Sequence, residues 1–333
     1  MRLLYITTIG ATMGFFKTLI KELLDDGNVV DIATNEISYE VPKCYREWGC
    51  KVYGISCSRS PVDKGNLKAI LEIKKIVVDG KYDIIHCHTP IASFCARVAC
   101  KPLRKDGIRV IYTAHGFHFY SGAPIINWLV YFPIEWICSY WTDVLITINK
   151  EDYELSLKHM HAKKLEYIPG VGIDIEKFSN IVVDRKAKRV ELGIPEEAYL
   201  ILSVGELNEN KNHEVVIKAI AERNDSSIHY AIAGRGELKS YLENLAKDLG
   251  IRPQLHLLGF REDVAELYKI ADLFVLPSKR EGLNVSLMEA RASGIECKTS
   301  LIRGNIDIMA ATDITVFSKK KINKEIKNVL FNL

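Results

Sequence analysis

The stretch ADLFVLPSKREGLNVSLMEARASG, residues 271–294, predicts a strand, a loop and a helix in direct succession. Its apolar start is typical of a parallel strand that is buried on both faces. Asn284 or Ser286 then caps a helix whose apolar residues begin at Leu287. A buried strand that leads directly into a helix is the repeating unit of an α/β sheet, so this stretch predicts the fold class.

The same succession recurs along the chain, which predicts an α/β protein with two parallel sheets, each covered by helices on both faces. A glycine-rich interruption at 169–172 opens a linker that we extend to Phe178, and it divides the chain into domains 1–170 and 171–333. Helical patterns span 14–26 and 66–78. The predicted strands are 3–9, 29–34, 52–55, 83–88, 109–114, 143–148 and 165–168, then 199–204, 229–233, 255–258 and 272–276.

Two glutamates flank the start of the helix that follows the strand 272–276. The amides of Val285, Ser286 and Leu287 lack intrahelical partners there and meet the positive end of the helix dipole, which suits a diphosphate. Glu281 precedes the helix and would face a sugar, whereas Glu289 lies about one turn inside and would reach a ribose. The alternative is an ordinary amphipathic helix with two solvated glutamates.

Length, net charge and cysteine spacing limit the classes of protein to which this chain can belong. With 333 residues, 48% of them hydrophobic, the chain is long enough to fill two cores. A net charge of +3 is too small to indicate nucleic acid, and no nucleic-acid-binding motif occurs, so we expect no such partner. The eight cysteines form no C-x-x-C pair, as expected of thiols in a reducing cytoplasm.

No signal-peptide pattern accompanies the first strand, and no window offers ~20 uninterrupted apolar residues for a membrane span. The nearest, residues 119–141, is interrupted by Pro124, Pro133 and Glu135 and is rich in aromatic residues. One interpretation is a helix packed in the core. The other is a surface that lies on the inner face of the cytoplasmic membrane and reaches a lipid-linked acceptor.

A series of short segments resembles, in content and in order, family 4 of the retaining glycosyltransferases. The segments are TTIGATMGFF (7–16), TAHGFHFY (113–120), ITINKEDY (146–153), YIPGVGID (167–174), GELNENKNH (205–213), AGRGEL (233–238), EGLNVSLMEARASG (281–294) and IRGN (302–305). The resemblance implies the GT-B fold, two facing Rossmann-like domains that bind a nucleotide sugar at the carboxyl ends of the strands. The donor-binding residues that it implies are Gly14, Gly205, Lys211, Arg235, Glu281, Gly282, Leu283, Asn284, Val285 and Glu289.

The resemblance also implies catalytic roles for Lys211, Glu281 and His115. Lys211 follows the predicted strand 199–204, and its compact charge would stabilise the diphosphate as it leaves. Glu281 would orient the transferred sugar, and His115 would touch it.

One departure from the family concerns a cation. Glu206 stands where the family has an arginine, so we expect Arg235 or Arg280 to contribute positive charge instead, although either could be merely a surface residue. The glycine loop around Gly14 is loose, and by itself it is as typical of a tight turn as of a phosphate site.

We expect neither a metal nor a cofactor, because the nucleotide sugar is a substrate. His86 and His88 lie two residues apart on a strand, where packing accounts for both, and no third ligand is placed to join them. The chain has no D-x-D motif, which commonly holds a divalent ion on the donor in the other large glycosyltransferase fold.

A second departure lies near the carboxyl end. The segment IECKT, 295–299, places charges where the family has a buried apolar strand, which would be costly without partners. After a final helix at 322–330 the chain is expected to lack the terminal helices that cross back onto the first domain.

The resemblance implies a retaining transferase that moves a hexose or N-acetylhexosamine from a nucleotide sugar, UDP-linked by preference. The acceptor would be a glycan, free or linked to polyprenyl diphosphate, in surface polysaccharide synthesis. The expected location is the cytoplasm, with peripheral membrane contact. Two alternatives stay open: an inactive nucleotide-sugar-binding relic and a non-hydrolysing sugar-nucleotide epimerase.

Overall fold

A computed structural model describes residues 1–37 and 39–331. The chain forms two compact units. The first comprises Met1–Val171 together with the chain from Lys321 onward, and the second comprises Gly172–Lys320.

The first unit is built on an all-parallel sheet of seven strands in the order β3-β2-β1-β4-β5-β6-β7. Its strands are β1 Arg2–Ile9, β2 Val29–Asn35, β3 Val52–Gly54, β4 Ile84–His88, β5 Arg109–Ala114, β6 Val144–Thr147 and β7 Lys164–Tyr167. Its helices are α1 Lys17–Asp25, α2 Cys44–Glu47, α3 Gly65–Gly80, α4 Pro90–Cys100, α5 Ile125–Ser139 and α6 Lys150–His159.

The second unit is built on an all-parallel sheet of five strands in the order β10-β9-β8-β11-β12. Its strands are β8 Tyr199–Val204, β9 Ile228–Ala233, β10 Leu255–Gly259, β11 Leu273–Leu276 and β12 Glu296–Thr299. The α-helices within residues 172–331 are α7 Ile175–Ser179, α8 Arg185–Glu191, α9 Glu214–Arg223, α10 Lys239–Asp248, α11 Val264–Ile270, α12 Val285–Ser293, α13 Asn305–Ala310 and α14 Lys319–Phe331.

Each sheet is covered on both faces because its strands carry apolar residues that point to both sides. Along β1, Leu4 and Ile6 belong to the core beneath α3, α4 and α5, whereas Leu3 and Tyr5 belong to the core beneath α1 and α14. This alternation follows from the two-residue period of a strand. The second sheet is likewise packed between two cores. The predicted fold class is confirmed.

Most strand predictions agree with the structure, and 109–114 and 199–204 agree to the residue. The first helix begins later than predicted. Gly10–Phe16 forms a 3-10 helix before α1 starts at Lys17, and the hydroxyl of Tyr45 donates to the Met13 carbonyl at 2.6 Å. That bond satisfies a carbonyl that a continuous α-helix would use.

The charged segment after α12 is a strand, β12, which pairs with β11 at the edge of the sheet. Glu296 and Lys298 are exposed there, while Cys297 between them is half-buried and packs against the core. An edge strand has room for outward charges, so the expected burial of unpaired charge does not occur.

The assignment of all residues after 170 to the second domain is corrected by the final helix. Ile322 and Ile326 of α14 are buried in the core of the first unit, and Lys327 pairs with Asp26 of that unit. The predicted helix at 322–330 therefore itself returns to the first unit. The predicted linker is also shorter, because Ile173 and Phe178 already lie in a core of the second unit.

Candidate functional site

The loop between β11 and α12 presents the amino end of α12 as predicted. Asn284 is the cap: its side-chain oxygen accepts from the Leu287 amide at 3.1 Å. The expectation that the Leu287 amide is available to a ligand is therefore wrong. The amides of Val285 and Ser286 remain as the donors of this first turn.

Lys211 and Glu281 meet although 70 residues separate them. The ammonium nitrogen of Lys211 donates to Oε1 of Glu281 at 2.7 Å, and their side chains are only 16% and 13% exposed. Gly205 makes room for the lysine, since an added Cβ would lie 3.1 Å from Cε of Lys211. The half-buried pair places a positive charge beside the loop that leads into α12.

Three amide side chains that we did not predict hold these loops together. Nδ2 of Asn210 donates to the Arg280 carbonyl at 2.9 Å, and the Asn210 carbonyl accepts from the Lys279 amide at 2.8 Å. Asn212 donates to the carbonyl of Pro277, and Asn208 accepts from the amide of Lys211 at 3.0 Å. The run of asparagines in NENKN was the available signal, because amide side chains readily bond loop backbone.

Two glycines permit close loop packing around the same site. A Cβ on Gly234 would lie 1.8 Å from the carbonyl oxygen of Gly205. Gly304 has φ +73°, and a Cβ there would lie 2.2 Å from the carbonyl oxygen of Gly282. The glycines in the segments AGRGEL and IRGN are required because their backbone packs closely against the loops that carry Lys211 and Glu281.

Glu289 is held in an environment that disfavours its charge. It is half-buried on α12, and Oε2 lies 3.2 Å from the hydroxyl of Tyr268, a residue that we did not predict. Burial raises the pKa of Glu289 to about 7, against smaller opposing effects of Tyr268, Lys177 and Lys319. A buried carboxylate with one hydroxyl neighbour retains capacity to accept further hydrogen bonds.

The arginines considered as substitute cations are both exposed. The guanidinium of Arg235 lies over the ring of Phe260, 5.8 Å from its centre. Arg280 contributes its backbone carbonyl to the loop contact with Asn210. Glu206, at the family's arginine position, is exposed, and its carboxylate accepts from Nδ2 of the Asn208 side chain at 2.9 Å.

His115 lies at the carboxyl end of β5 and contacts a histidine that we had assigned to packing. Its Nε2 is 3.1 Å from Nδ1 of His88, whose ring is tilted against that of His86 with 4.2 Å between ring centres. Burial lowers the pKa of His115 to about 4 and that of His86 to about 3, and burial with the neighbouring imidazoles lowers the pKa of His88 as well. All three rings are neutral at physiological pH.

His86, His88 and His115 lie in one buried cluster of imidazole rings. Within 1–37 and 39–331 the side chains form no group of three or more that could hold a metal ion. The tautomers follow from two buried ring nitrogens, Nδ1 of His86 and Nε2 of His88, which have no hydrogen-bond partner there. A buried N–H without a hydrogen-bond partner is rarer than a buried acceptor without one, so the unpaired Nε2 of His88 carries no proton. His88 is therefore protonated on Nδ1 and donates to Nε2 of His115.

Gly14 lies in the 3-10 helix after β1 and is exposed, and a Cβ there would meet nothing within 4 Å. The glycine of this loop that packs closely against other backbone is Gly10, because an added Cβ there would lie 2.3 Å from the Tyr39 carbonyl oxygen. A cavity of about 300 Å³ opens nearby in the first unit. It is lined by Thr8, Thr12, Arg59, Thr89, His118 and Tyr131, among others.

Comparison with known proteins identifies the family. The model of glycosyl transferases group 1 matches residues 184–332, and that of glycosyltransferase family 4 matches residues 15–177. Over 263 residues, 77% of this chain and 68% of its relative, the sequence is 36% identical to the glycosyltransferase EpsD of Bacillus subtilis. The chain belongs to glycosyltransferase family 4. It is therefore a transferase that acts in glycan synthesis.

A second relative of this family 4 enzyme is the UDP-Gal:α-D-GlcNAc-diphosphoundecaprenol α-1,3-galactosyltransferase of Escherichia coli. It is 33% identical over 249 residues, which cover 72% of this chain and 63% of the relative. The aligned part thus spans about two thirds of the length of each of these two relatives.

The fold is shared with the crystal structure of HepE from Anabaena in complex with UDP and glucose. The TM-score is 0.77, with 16% sequence identity and coverage of 100% of both chains. This likeness and the two parallel sheets with their helices confirm the predicted GT-B fold of this family 4 glycosyltransferase. In the described part of the chain, no helix is both long and apolar enough to cross a bilayer.

Proposed function

We propose that this enzyme is a retaining glycosyltransferase that transfers a hexose or N-acetylhexosamine from a UDP-sugar to a glycan linked to polyprenyl diphosphate. Its place would be the inner face of the cytoplasmic membrane, in surface polysaccharide synthesis. The observation that carries the proposal is the ion pair of Lys211 and Glu281 in front of α12. The Escherichia coli galactosyltransferase, which is named for UDP-Gal and a GlcNAc-diphosphoundecaprenol acceptor, supports the choice of substrates.

The second unit would bind the nucleotide sugar. The amides of Val285 and Ser286 lie at the positive end of α12 and would meet the diphosphate. The ammonium of Lys211 would stabilise the charge that develops as the glycosyl bond breaks, because fixed charge requires no reorganisation during the reaction. Glu281 would orient the sugar, and Glu289 would accept from the ribose hydroxyls.

Further donor contacts are proposed for Gly14, Gly205, Arg235 and the loop Gly282–Leu283–Asn284. His115 is proposed to contact the transferred sugar. The acceptor hydroxyl would attack on the face from which the diphosphate departs, and the departing phosphate oxygen would take the hydroxyl proton. The new glycosidic bond then keeps the anomeric configuration of the donor, and UDP is released.

The decisive experiment incubates the purified chain with a panel of nucleotide sugars and a polyprenyl-diphosphate-linked GlcNAc acceptor. Nuclear magnetic resonance of the product reports the anomeric configuration, and nucleotide release reports turnover. We expect acceptor-dependent UDP release and a retained anomer. Donor binding without turnover would identify a relic, and conversion of the donor sugar without acceptor would identify an epimerase.

The relic and the epimerase are not favoured. The charged segment after α12 departs from the family, but it lies on a sheet edge where its charges are exposed, so it gives no reason to infer an inactive relic. The residues assigned to catalysis in the second unit are also in contact, which an inactive relic would not need to maintain.

Glu289→Gln is expected to stabilise the protein at pH 8 and to weaken nucleotide binding. Because burial raises the folded-state pKa to about 7, above the usual 4.5, the ionised carboxylate costs stability as pH rises from about 5 to above 7. The full shift corresponds to roughly 3 kcal/mol, and partial exposure reduces the expected gain at pH 8 to about 1–2 kcal/mol. UDP affinity should fall about tenfold, since a charged acceptor is lost.

Chemical denaturation at pH 5 and pH 8, with calorimetry of UDP binding, measures both effects. Glu222→Gln is the matched control, because Glu222 is an exposed glutamate on α9. A Glu289→Gln variant with unchanged UDP affinity would remove Glu289 from the donor site. Equal stability of this variant and wild type at both pH values would contradict the raised pKa.

His88 is expected to set the tautomer of His115. With Nε2 of His115 accepting from His88, the proton of His115 lies on Nδ1, which makes Nδ1 a donor to a ligand oxygen. In His88→Phe we expect a mixture of both tautomers in the ¹⁵N spectrum of His115 and a lower kcat. His88→Gln, whose amide can donate, should restore the single tautomer. A wild-type His115 protonated on Nε2 would refute the assignment.

A further inference from the structure

A second cavity, of about 400 Å³, opens in the second unit between the amino ends of α9 and α10. Within the described part of the chain, its lining shares no residue with the proposed donor site. Its volume lies in the range of cavities that hold small ligands. The proposed reaction therefore leaves this cavity without a role.

One part of the lining is apolar and aromatic. Leu238 and Leu242 lie at the start of α10 and belong to the core beneath that helix. The ring of Tyr241 is 46% exposed, and its hydroxyl donates to a carboxylate oxygen of Glu214 at 2.5 Å. That bond limits rotation of the ring, which offers a flat apolar surface with its polar end already paired.

The rest of the lining carries charges of both signs. Glu209 and Glu214 contribute carboxylates, and the exposed Lys279 contributes an ammonium. The hydrogen bond from Tyr241 and the nearby ammonium groups of Lys218 and Lys279 lower the pKa of Glu214, so this carboxylate is ionised at neutral pH.

The histidine of this cavity adds no charge. His213 is buried, with Nδ1 at 3.0 Å from the hydroxyl of Tyr230 and Nε2 at 3.1 Å from the carbonyl of Glu206. Burial lowers the pKa of His213 to about 4, so the ring is neutral at physiological pH. Both of its nitrogens are engaged by the protein, which leaves ligand contacts to the side chains around it.

A neutral molecule with many hydroxyl groups matches this lining better than an ion does. An anion would meet the carboxylates of Glu209 and Glu214, and a cation would meet the ammonium of Lys279. A hydroxyl can donate to a carboxylate and can also accept from an ammonium. The C–H groups on one face of a sugar ring can pack on an aromatic ring such as that of Tyr241.

We propose that this cavity is a glycan-binding site of the second unit, separate from the donor site, and that it takes a short neutral glycan. The ring of Tyr241 supports the apolar face of one sugar, while its hydroxyls bond Glu209 and Lys279. The site holds a sugar other than the one that reacts. Its existence does not depend on the proposed function, because binding requires neither donor nor transfer.

The cavity adjoins the loops of the donor site without including their charged pair. The amide of Lys279 donates to the carbonyl of Asn210 at 2.8 Å, next to Lys211 in the chain. Asn208 lines the cavity and accepts from the amide of Lys211 at 3.0 Å. A variant that tests glycan binding must therefore leave Asn208 in place, and Tyr241 on α10 meets that condition.

Saturation-transfer nuclear magnetic resonance of the full chain tests the proposal. The probes are the methyl glycosides of glucose, galactose, N-acetylglucosamine and N-acetylgalactosamine. We expect dissociation constants in the millimolar range, as is usual for small ligands with few apolar contacts, and binding that persists when UDP is saturating. Tyr241→Ala should bind about tenfold less tightly. The matched control is Tyr199→Ala, because Tyr199 of β8 is 44% exposed and lies outside the cavity lining.

Circular dichroism and UDP affinity verify that both variants fold. Absence of binding by all four glycosides would overturn the proposal, and so would equal binding by Tyr241→Ala. Displacement of the glycoside by UDP would place it in the donor site and would likewise overturn the proposal. Tighter binding of methyl glucuronide or methyl glucosaminide would refute the neutral ligand class. Glycoside binding by a chain that transfers no sugar would refute the proposed function and leave this site standing.

Discussion

Replacing Lys211 with alanine is expected to lower kcat for glycosyl transfer by about 10²–10³-fold at saturating donor, the loss typical of removing one preorganised group that stabilises transition-state charge. The structure gives this lysine a fixed position, since its ammonium is 2.7 Å from Glu281 and its stem passes over Gly205. Initial-rate measurements of UDP release provide the test, and an unchanged kcat would exclude Lys211 from the mechanism.

The ion pair allows a second explanation for such a loss, because alanine would leave Glu281 as an unpaired carboxylate in a half-buried site. The double variant Lys211→Ala/Glu281→Gln separates the two. If Lys211 acts on the leaving diphosphate, the double variant is at least as slow as Lys211→Ala. If Lys211 serves only to neutralise Glu281, activity recovers to that of Glu281→Gln alone. Lys247→Ala, an exposed lysine on α10, is the matched control and should keep wild-type activity.

Arg97→Met is expected to destabilise the protein by about 3–5 kcal/mol, because it leaves the buried carboxylate of Glu135 without its partner. Arg97 is 1% exposed, bonds Glu135 at 2.7 Å and lies over the ring of Tyr112, 4.4 Å from its centre. Urea denaturation measures the loss. The double variant Arg97→Met/Glu135→Leu should recover most of it, because an apolar pair of similar volume needs no charge compensation.

The chain contains a control pair with the same separation but different burial. Arg46 and Glu36 also lie 2.7 Å apart, yet the arginine is 49% exposed. Arg46→Met should therefore cost no more than about 1 kcal/mol. If the Arg97 and Arg46 variants lost equal stability, burial would not be the source of the effect at Arg97.

Local patterns predicted much of this protein. The strands 109–114 and 199–204, the helix that begins after Asn284 and the loop residues around Glu281 follow from periodicity and capping, which depend on neighbours in sequence. Boundaries failed where distant groups intervene, as at the first helix, where Tyr45 bonds the carbonyl of Met13. The final helix was assigned to the wrong unit because its partners are distant in sequence. Asn323 of this helix, for example, donates to Glu22, which lies 301 residues earlier.

The sequence by itself determined the α/β class and the residue types of the proposed donor site, because strand and helix periods are local properties of the chain. The tertiary structure decided which of those residues meet. Lys211 follows β8 and Glu281 follows β11, and they pair because these strands are neighbours in the sheet. His88 and His115 meet because β4 lies beside β5. Strand order also turned Glu135 inward and left an apolar face of α5 exposed, since burial depends on which helix covers which strand.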